Sequence, residues 1–410
     1  MKMVLVVGKK FSGLTDYLDA HGYDWILLRD IKTTKYPDKK LKRRVVCDFS
    51  NAAEIEAALQ KLKKKPDAVM VTYEQYVLPA AFVAEKLGLP GMTKEAAEAC
   101  TDKYLMRSKL AMAPEKISPD FAEVGNEADL IAFAETHDFP LILKPANLAK
   151  SLLVTKSADM EELIANYRKS LAVIDEVYAK YSPNRVPKLI VEEFLEGSVY
   201  SVDAFIDADG TPHVIDGIVD YQTGYDVGYD DNFHYSRLMP TQLPEEKKQD
   251  LLRCAEIGCR ALGMRSSPAH IEIIMTADGP RVVEIGARNG GYRERMYDLA
   301  QGIDITKNAL AIAMNESTNI KARKNDSVAV LELFPKAPGV FVGIKNEEEL
   351  RTLPSFSYLS IKAKIGEYVG KAGDGYKMCA VVILNNSDEL QFREDLDFVN
   401  EKVFAETEDE

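Results

Sequence analysis

The chain has 410 residues, enough for two or three domains at ~150 residues each, and its 46% apolar and 29% charged residues exclude a disordered or fibrous chain. Acids outnumber bases by 65 to 52, which argues against nucleic-acid binding and against charge-held membrane attachment, though not against a small anion in a local basic cleft. No run of about 18 apolar residues predicts a spanning helix, residues 1–7 are too short for a secretory leader, and five scattered cysteines predict neither a disulfide framework nor a zinc site, so a cytoplasmic multidomain protein is expected.

Residues 3–8 form a continuous apolar run ending in Gly8, the pattern of a buried parallel strand. A helix at 14–20 stopped by Gly22, a strand at 25–28, an amphipathic helix at 52–63, a strand at 68–72 and a helix at 79–87 follow. This alternation predicts βαβ units and a parallel sheet. Further on, strands are expected at 141–144, 188–191, 198–206, 213–219, 269–275 and 281–285, with hairpin signals at 207–210 and 277–280. That half reads as antiparallel α+β, with long helices at 160–180 and 244–262. Strands at 328–334, 357–365 and 378–385 read as a final small unit, and the acidic tail from 405 as frayed.

Two familiar motifs fail. The stretch from Gly8 to Thr15 has the glycine spacing of a Walker A loop, but Leu14 stands where the lysine is required. No Gly-x-Gly-x-x-Gly follows a strand, and the five histidines (His21, His137, His213, His234 and His270) are dispersed, which leaves dinucleotide binding and zinc hydrolysis without an anchor.

The informative segment is 268–288. Taking Ala277-Asp278-Gly279 as a three-residue loop pairs Ile274 with Val282, Glu272 with Glu284 and His270 with Gly286. Period two then puts Glu272, Glu284 and Arg288 on one face, and Ile271, Ile273, Val283 and Ile285 on the other. Carboxylates facing each other across a strand pair repel, so a cation is expected between them. Oxygen-only ligands suit Mg²⁺ or Mn²⁺ better than zinc. A solvated hairpin face, with Glu284 paired to Arg288 or Arg281, is the alternative.

With these residues in view, the chain resembles the ATP-grasp superfamily, especially its carboxylate–amine ligases such as L-amino-acid (dipeptide) ligases, and is similar to biotin carboxylase and carbamoyl phosphate synthetase. The resemblance runs in order through Leu87-Gly-Leu-Pro-Gly91, Thr101-Asp-Lys103-Tyr-Leu-Met-Arg107, Leu141-Ile-Leu-Lys144-Pro145, Val191-Glu-Glu-Phe-Leu-Glu-Gly197, His270-Ile-Glu272 and Glu284-Ile-Gly-Ala-Arg288-Asn-Gly290-Gly291. It implies an α/β plus α+β, ATP-grasp fold: a parallel pre-ATP-grasp domain over 1–95, a small lobe or lid over 96–195, a large lobe with the metal hairpin over 196–320, and a C-terminal α/β subdomain over 321–410. It also implies ATP and Mg²⁺ (or Mn²⁺) as cofactors, with Lys103 and Lys144 as the ATP lysines. The hinge Glu192, Glu193, Phe194 and Leu195 would read adenine, Glu272 and Glu284 would bridge metal to phosphates, and Arg288 would stabilise the acyl phosphate and tetrahedral intermediate.

Three departures stand out. Gly286 replaces a customary asparagine ligand. The phosphate-covering loop contains no glycine, so Lys150 and Ser151 are its candidate phosphate contacts. Val199 occupies the usual ribose-glutamate position, with Glu196 nearby. For the substrates, Arg293 or Arg295 is a candidate carboxylate clamp, Asp230 or Asp231 an ammonium partner, and Tyr225, Tyr229 and Phe233 a pocket wall. Glu74, at the end of a parallel strand, lies where a ligand approaches an open sheet. The implied activity is an ATP-dependent ligase joining a carboxylate to an amine through an acyl phosphate, most naturally with amino acids. A bicarbonate-activating enzyme and a nucleotide sensor without turnover are the alternatives. The implied partners are small molecules, with no nucleic acid or membrane, and the relatives allow a homodimer.

Overall fold

The four N-terminal strands run parallel in the order Arg44–Cys47, Asp24–Asp30, Met3–Val7, Ala68–Val71. In this computed structural model, residues 1–32, 43–148, 152–230 and 233–409 are described. All five residues of Met3–Val7 are buried, because helices cover both faces of a parallel sheet. The edge strand Arg44–Cys47 escapes the sequence pattern because it keeps only its last residue fully buried. At their carboxyl ends Met3–Val7 and its edge neighbour Ala68–Val71 deliver Gly8 and the segment 72–74 to one rim.

A second sheet is antiparallel, in the order Phe121–Val124, Leu189–Glu193, Leu141–Pro145, Thr155–Ser157. The helices Glu127–Ala134 and Met160–Tyr181 share one core with it through Leu130, Phe133, Leu163, Tyr167, Ile174 and Tyr178. Residues 194–197 then lead directly into Ser198–Ile206 of the main sheet. Gly197 is required there: a Cβ would stand 2.1 Å from the Met275 carbonyl oxygen, so the hinge passes against the neighbouring strand's backbone.

The main sheet runs Gly279–Gly286, Ser267–Thr276, Ser198–Ile206, Val219–Thr223, His234–Met239, Ser327–Leu333, Ala380–Asn386, Phe356–Ile361. The structure adds strands the sequence reading did not contain, among them His234–Met239 within a stretch read as a loop, and it changes three readings. The strand expected over 213–219 is divided into Pro212–Val214 and Val219–Thr223, because Ile215 donates its N–H to the Asp203 carbonyl and Gly217 donates back to Ile215. The C-terminal strands near 328, 357 and 378 continue the main sheet, joined to it where Ser327–Leu333 pairs His234–Met239. The tail is not frayed through residue 408: Ala405–Glu408 pairs Gly339–Ile344.

The helices Lys94–Ala99 and Lys103–Leu110 pack on the main sheet. Ala97, Cys100, Met106 and Leu110 share a core with Val202, Ile271, Ile273, Val282 and Ile285. This packing brings the helix that starts at Lys103 against the hairpin carrying Glu272 and Glu284.

Candidate active site

Glu272 and Glu284 are directly opposed across the hairpin of Ser267–Thr276 and Gly279–Gly286. The pairing expected from sequence holds, but by a different route. Thr276 pairs Gly279, so the loop has only Ala277 and Asp278, and a bulge between Glu272 and Ile273 restores the register. Ile273 therefore faces Val282, and Val282 rather than Val283 joins Ile271, Ile273 and Ile285 in the apolar core. Val283 is the residue left out of the ladder. Its carbonyl accepts from Arg107 Nη2 at 2.8 Å.

Around the two carboxylates the structure gathers groups from three distant segments. Lys103 Nζ lies 3.4 Å from Glu284 Oε2 and donates to the Leu148 carbonyl at 3.1 Å. Arg288 Nη2 donates to Glu74 Oε2 at 3.3 Å. Glu74 Oε2 also stands 3.5 Å from where a Cβ on Gly286 would be, so the space that a larger residue would use at 286 is faced by a carboxylate from the N-terminal sheet. These residues line a cleft of about 2310 Å³, walled by the rim of the parallel sheet, the hairpin, and residues 147–148 and 179–185 of the smaller lobe.

The charges are set by burial and by neighbours. Burial disfavours ionised Glu272, but the hydrogen bond and positive charge of His270 outweigh it and hold the carboxyl at about 2. His270 Nε2 is 3.5 Å away, and Nδ1 meets Asp203 Oδ1 at 2.9 Å. Burial opposes the imidazolium too, yet Asp203 raises it to about 10. Glu284 is likewise buried, and Lys103 keeps it below the ordinary carboxylate range. Glu74 behaves oppositely: burial, then the neighbouring Glu284, push it up to about 8. At neutral pH the opposed pair on the hairpin is ionised while the neighbouring Glu74 is held neutral.

A Mg²⁺ or Mn²⁺ ion fits this donor set. Both carboxylates present hard oxygens on a rigid two-stranded element. Among the described residues, no group of three His, Cys, Asp or Glu is arranged to hold a metal unaided. A cation held by the two glutamates would need its remaining ligands from water or from a polyphosphate, as Mg²⁺ ordinarily does.

Lys144 and Glu192 lie together, away from the cleft's open face. Lys144 Nζ meets Glu192 Oε2 at 2.6 Å, and Arg107 reaches the same carboxylate through Nε at 2.9 Å and Nη2 at 3.3 Å. Burial lowers Lys144 to about 8 against the pull of Glu192. Glu192, buried but flanked by Arg107 and Lys144, is held at about 2.

The other sequence candidates are dispersed. The Glu193 carboxylate turns to the Asp120 amide at 3.1 Å, and Phe194 carries Lys156 Nζ 3.8 Å from its ring centroid; Leu195 is half-buried in the hinge. Arg295 lines the cleft, with its guanidinium 4.7 Å from the Tyr358 ring centroid. Arg293 is not a free clamp. It is fully buried, with Asp203, Ser201, Tyr221 and the Gly291 carbonyl as its partners. Asp230 is exposed, pairs Lys371 at 3.2 Å and does not line the cleft. Tyr229 and Phe233 pack with Tyr235 and Phe334 in a core instead of walling the cleft, and Tyr225 is exposed. Lys150, Ser151 and Asp231 lie outside the described residues.

The sequence reading gave no role to Arg107, which closes the Lys103 motif, to His234 or to Asp203. His234 lines the cleft, and burial, only partly opposed by Glu272, lowers its pKa. The signal for Arg107 was its place one helical turn after Lys103. Asp203 carried none beyond being an acid inside an apolar strand.

Residues 137–294 match the family described as ATP-grasp domain. The chain is 24% identical over 352 residues to the uncharacterized protein y4rH of Sinorhizobium fredii, covering 84% of this chain and 70% of that one. It is 28% identical over 235 residues to the alanine–anticapsin ligase of Bacillus subtilis, covering 55% of this chain and 49% of the ligase, about half of that enzyme's length. The crystal structure of an L-amino acid ligase from Bacillus licheniformis superposes with a TM-score of 0.78 at 19% identity, covering 100% of this chain and 99% of that one, a likeness of fold. The matching segment, residues 137–294, runs from the later part of the smaller lobe through the hinge to the acidic hairpin and is an ATP-grasp domain, and the chain as a whole shares the fold of the L-amino acid ligase.

Proposed function

We propose that this protein is an ATP-dependent carboxylate–amine ligase acting on amino acids. The observation that carries the reading is the opposed pair Glu272 and Glu284, with Lys103 3.4 Å from one of them and Arg288 beside them in the cleft. Relatives named as amino-acid ligases support the substrate class. A divalent cation held by the two glutamates would supply charge neutralisation to the phosphate oxygens.

The chain's own residues do the rest. Lys103 is kept charged: although burial disfavours its ammonium, Glu284 and Glu74 raise its pKa, so it offers a compact positive charge to phosphate. Lys144 supplies a second ammonium from the smaller lobe, and the hinge 194–197 lets that lobe close over the nucleotide. A carboxylate oxygen of the first substrate attacks the γ-phosphorus while the bond to ADP breaks, its electron pair leaving with ADP. The amine lone pair of the second substrate then adds to the acyl carbon. The C–O bond to phosphate breaks and the nitrogen loses a proton, leaving an amide. Arg288, aimed into the cleft, faces negative charge on the acyl phosphate and on the tetrahedral oxygen. Positioning and charge stabilisation account for most of the catalysis in phosphoryl transfer of this kind.

The test is release of ADP and phosphate with Mg²⁺ over a panel of amino-acid pairs, followed by bicarbonate. Turnover that needs two amino acids, with a dipeptide in the products, is expected. ATP binding with no turnover on any pair, or turnover with bicarbonate alone, overturns the reading.

A further inference from the structure

We infer that Arg107 is a positioning residue that ties the two nucleotide-side lysines to the acidic hairpin. The inference rests on the ligase reading of the cleft and names a residue that reading does not use. Arg107 is 1% exposed, and its guanidinium bridges the smaller lobe and the acidic hairpin from the helix that carries Lys103. Nε and Nη2 grip Glu192 on the smaller lobe, and Glu192 in turn holds Lys144 at 2.6 Å. Nη2 also donates to the carbonyl of Val283, the bulged residue immediately before Glu284. Lys103 stands one turn earlier on the same helix, which Asp102 caps through the Tyr104 and Leu105 amides. One planar group thereby sets the distance between Lys103, Lys144 and Glu284.

Two features favour positioning over mere packing. The bulge leaves the Val283 carbonyl without a ladder partner, and Arg107 satisfies it, so the guanidinium fixes the backbone that aims Glu284. Arg107 Nη1 is buried with no acceptor among the described residues, an unmet donor that an apolar core residue would not impose. A lysine could keep the charge near Glu192 but not the fork that reaches both Glu192 and the bulge.

The test is ADP binding to the full chain by calorimetry, with and without Mg²⁺, for the wild type, Arg107→Gln and Arg107→Lys. In the wild type, Mg²⁺ tightens ADP binding. Both variants are expected to keep metal-free affinity within about threefold while losing about tenfold of the Mg²⁺-dependent tightening, a coupling of ordinary size between linked sites. A merely structural role lowers the melting temperature and leaves the Mg²⁺ effect at its wild-type size; that result overturns the inference. If Arg107→Gln fails to fold, Arg107→Lys, which retains the charge beside Glu192, carries the same test. A wild type that binds no ADP overturns the ligase reading itself, before any variant is made.

Discussion

Replacing Glu192 with glutamine removes the one anion between two buried cations, and the size of the effect follows from its surroundings. Arg107 and Lys144 hold the carboxyl near 2 rather than 4.5 despite its burial. At about 1.4 kcal/mol per unit, ionised Glu192 stabilises the folded state by about 3 kcal/mol. Arg107 and, after it, Lys144 both favour the ionised carboxylate against its burial. Glu192→Gln is therefore expected to cost about 3 kcal/mol at pH 7, within the usual cost of breaking one side of a buried ion pair. The folded pKa is depressed, so this stability is complete above the unfolded value of 4.5 and is lost as pH falls toward 2. The gap between wild type and variant should accordingly narrow below pH 4.5. Denaturant unfolding followed by far-ultraviolet circular dichroism reads it, because the single tryptophan, Trp25, sits in the N-terminal sheet and reports another region. A gap under about 0.5 kcal/mol at pH 7, the size of an ordinary surface change, refutes the reasoning. So does a gap that stays constant through the acid range.

Glu272→Gln and Glu284→Gln should each lower turnover by about 10²–10³ with circular dichroism unchanged, since a neutral amide is a poorer partner for a divalent cation; near-normal rates in both would remove the metal role. Arg288→Lys should lower kcat by about 10²–10³ with little effect on the KM for ATP, and a change confined to KM would assign it to binding. Glu74 is raised to about 8 by burial and by Glu284, so the stability linked to it is full below 4.5 and lost as pH rises through 8; Glu74→Gln should flatten the stability profile of the nucleotide-free protein across that window, measured by thermal melts. Arg293→Met should destabilise by about 3–5 kcal/mol, leaving Asp203 buried with one partner fewer, and a variant of native stability with a raised substrate KM would restore the clamp role.

The parallel N-terminal sheet was legible because its strands are buried on both faces, so runs such as Met3–Val7 stand out without reference to any neighbour. Arg44–Cys47 was not, since an edge strand with one fully buried residue has no such pattern. The pairing of Glu272 with Glu284 was legible for a compensating reason: a shorter loop and a bulge moved the register in opposite directions, and the two errors cancelled between Thr276 and Glu284. The roles weighed for Arg293 and Asp230 show the opposite limit. Both are charged residues near the motifs, yet one lies fully buried against Asp203 and the other points into solvent beside Lys371.

The sequence by itself determined the parallel N-terminal layer and the acidic hairpin, because these depend on periodicity and turn chemistry within a few tens of residues. Only the tertiary structure decided which charges meet. Arg107, Glu192 and Val283 come from a helix, a lobe and a hairpin far apart in the chain, and Glu74 reaches Arg288 across 214 positions. Such contacts are fixed by how the apolar faces of separate elements pack, and the ionic groups are carried to their partners by that packing.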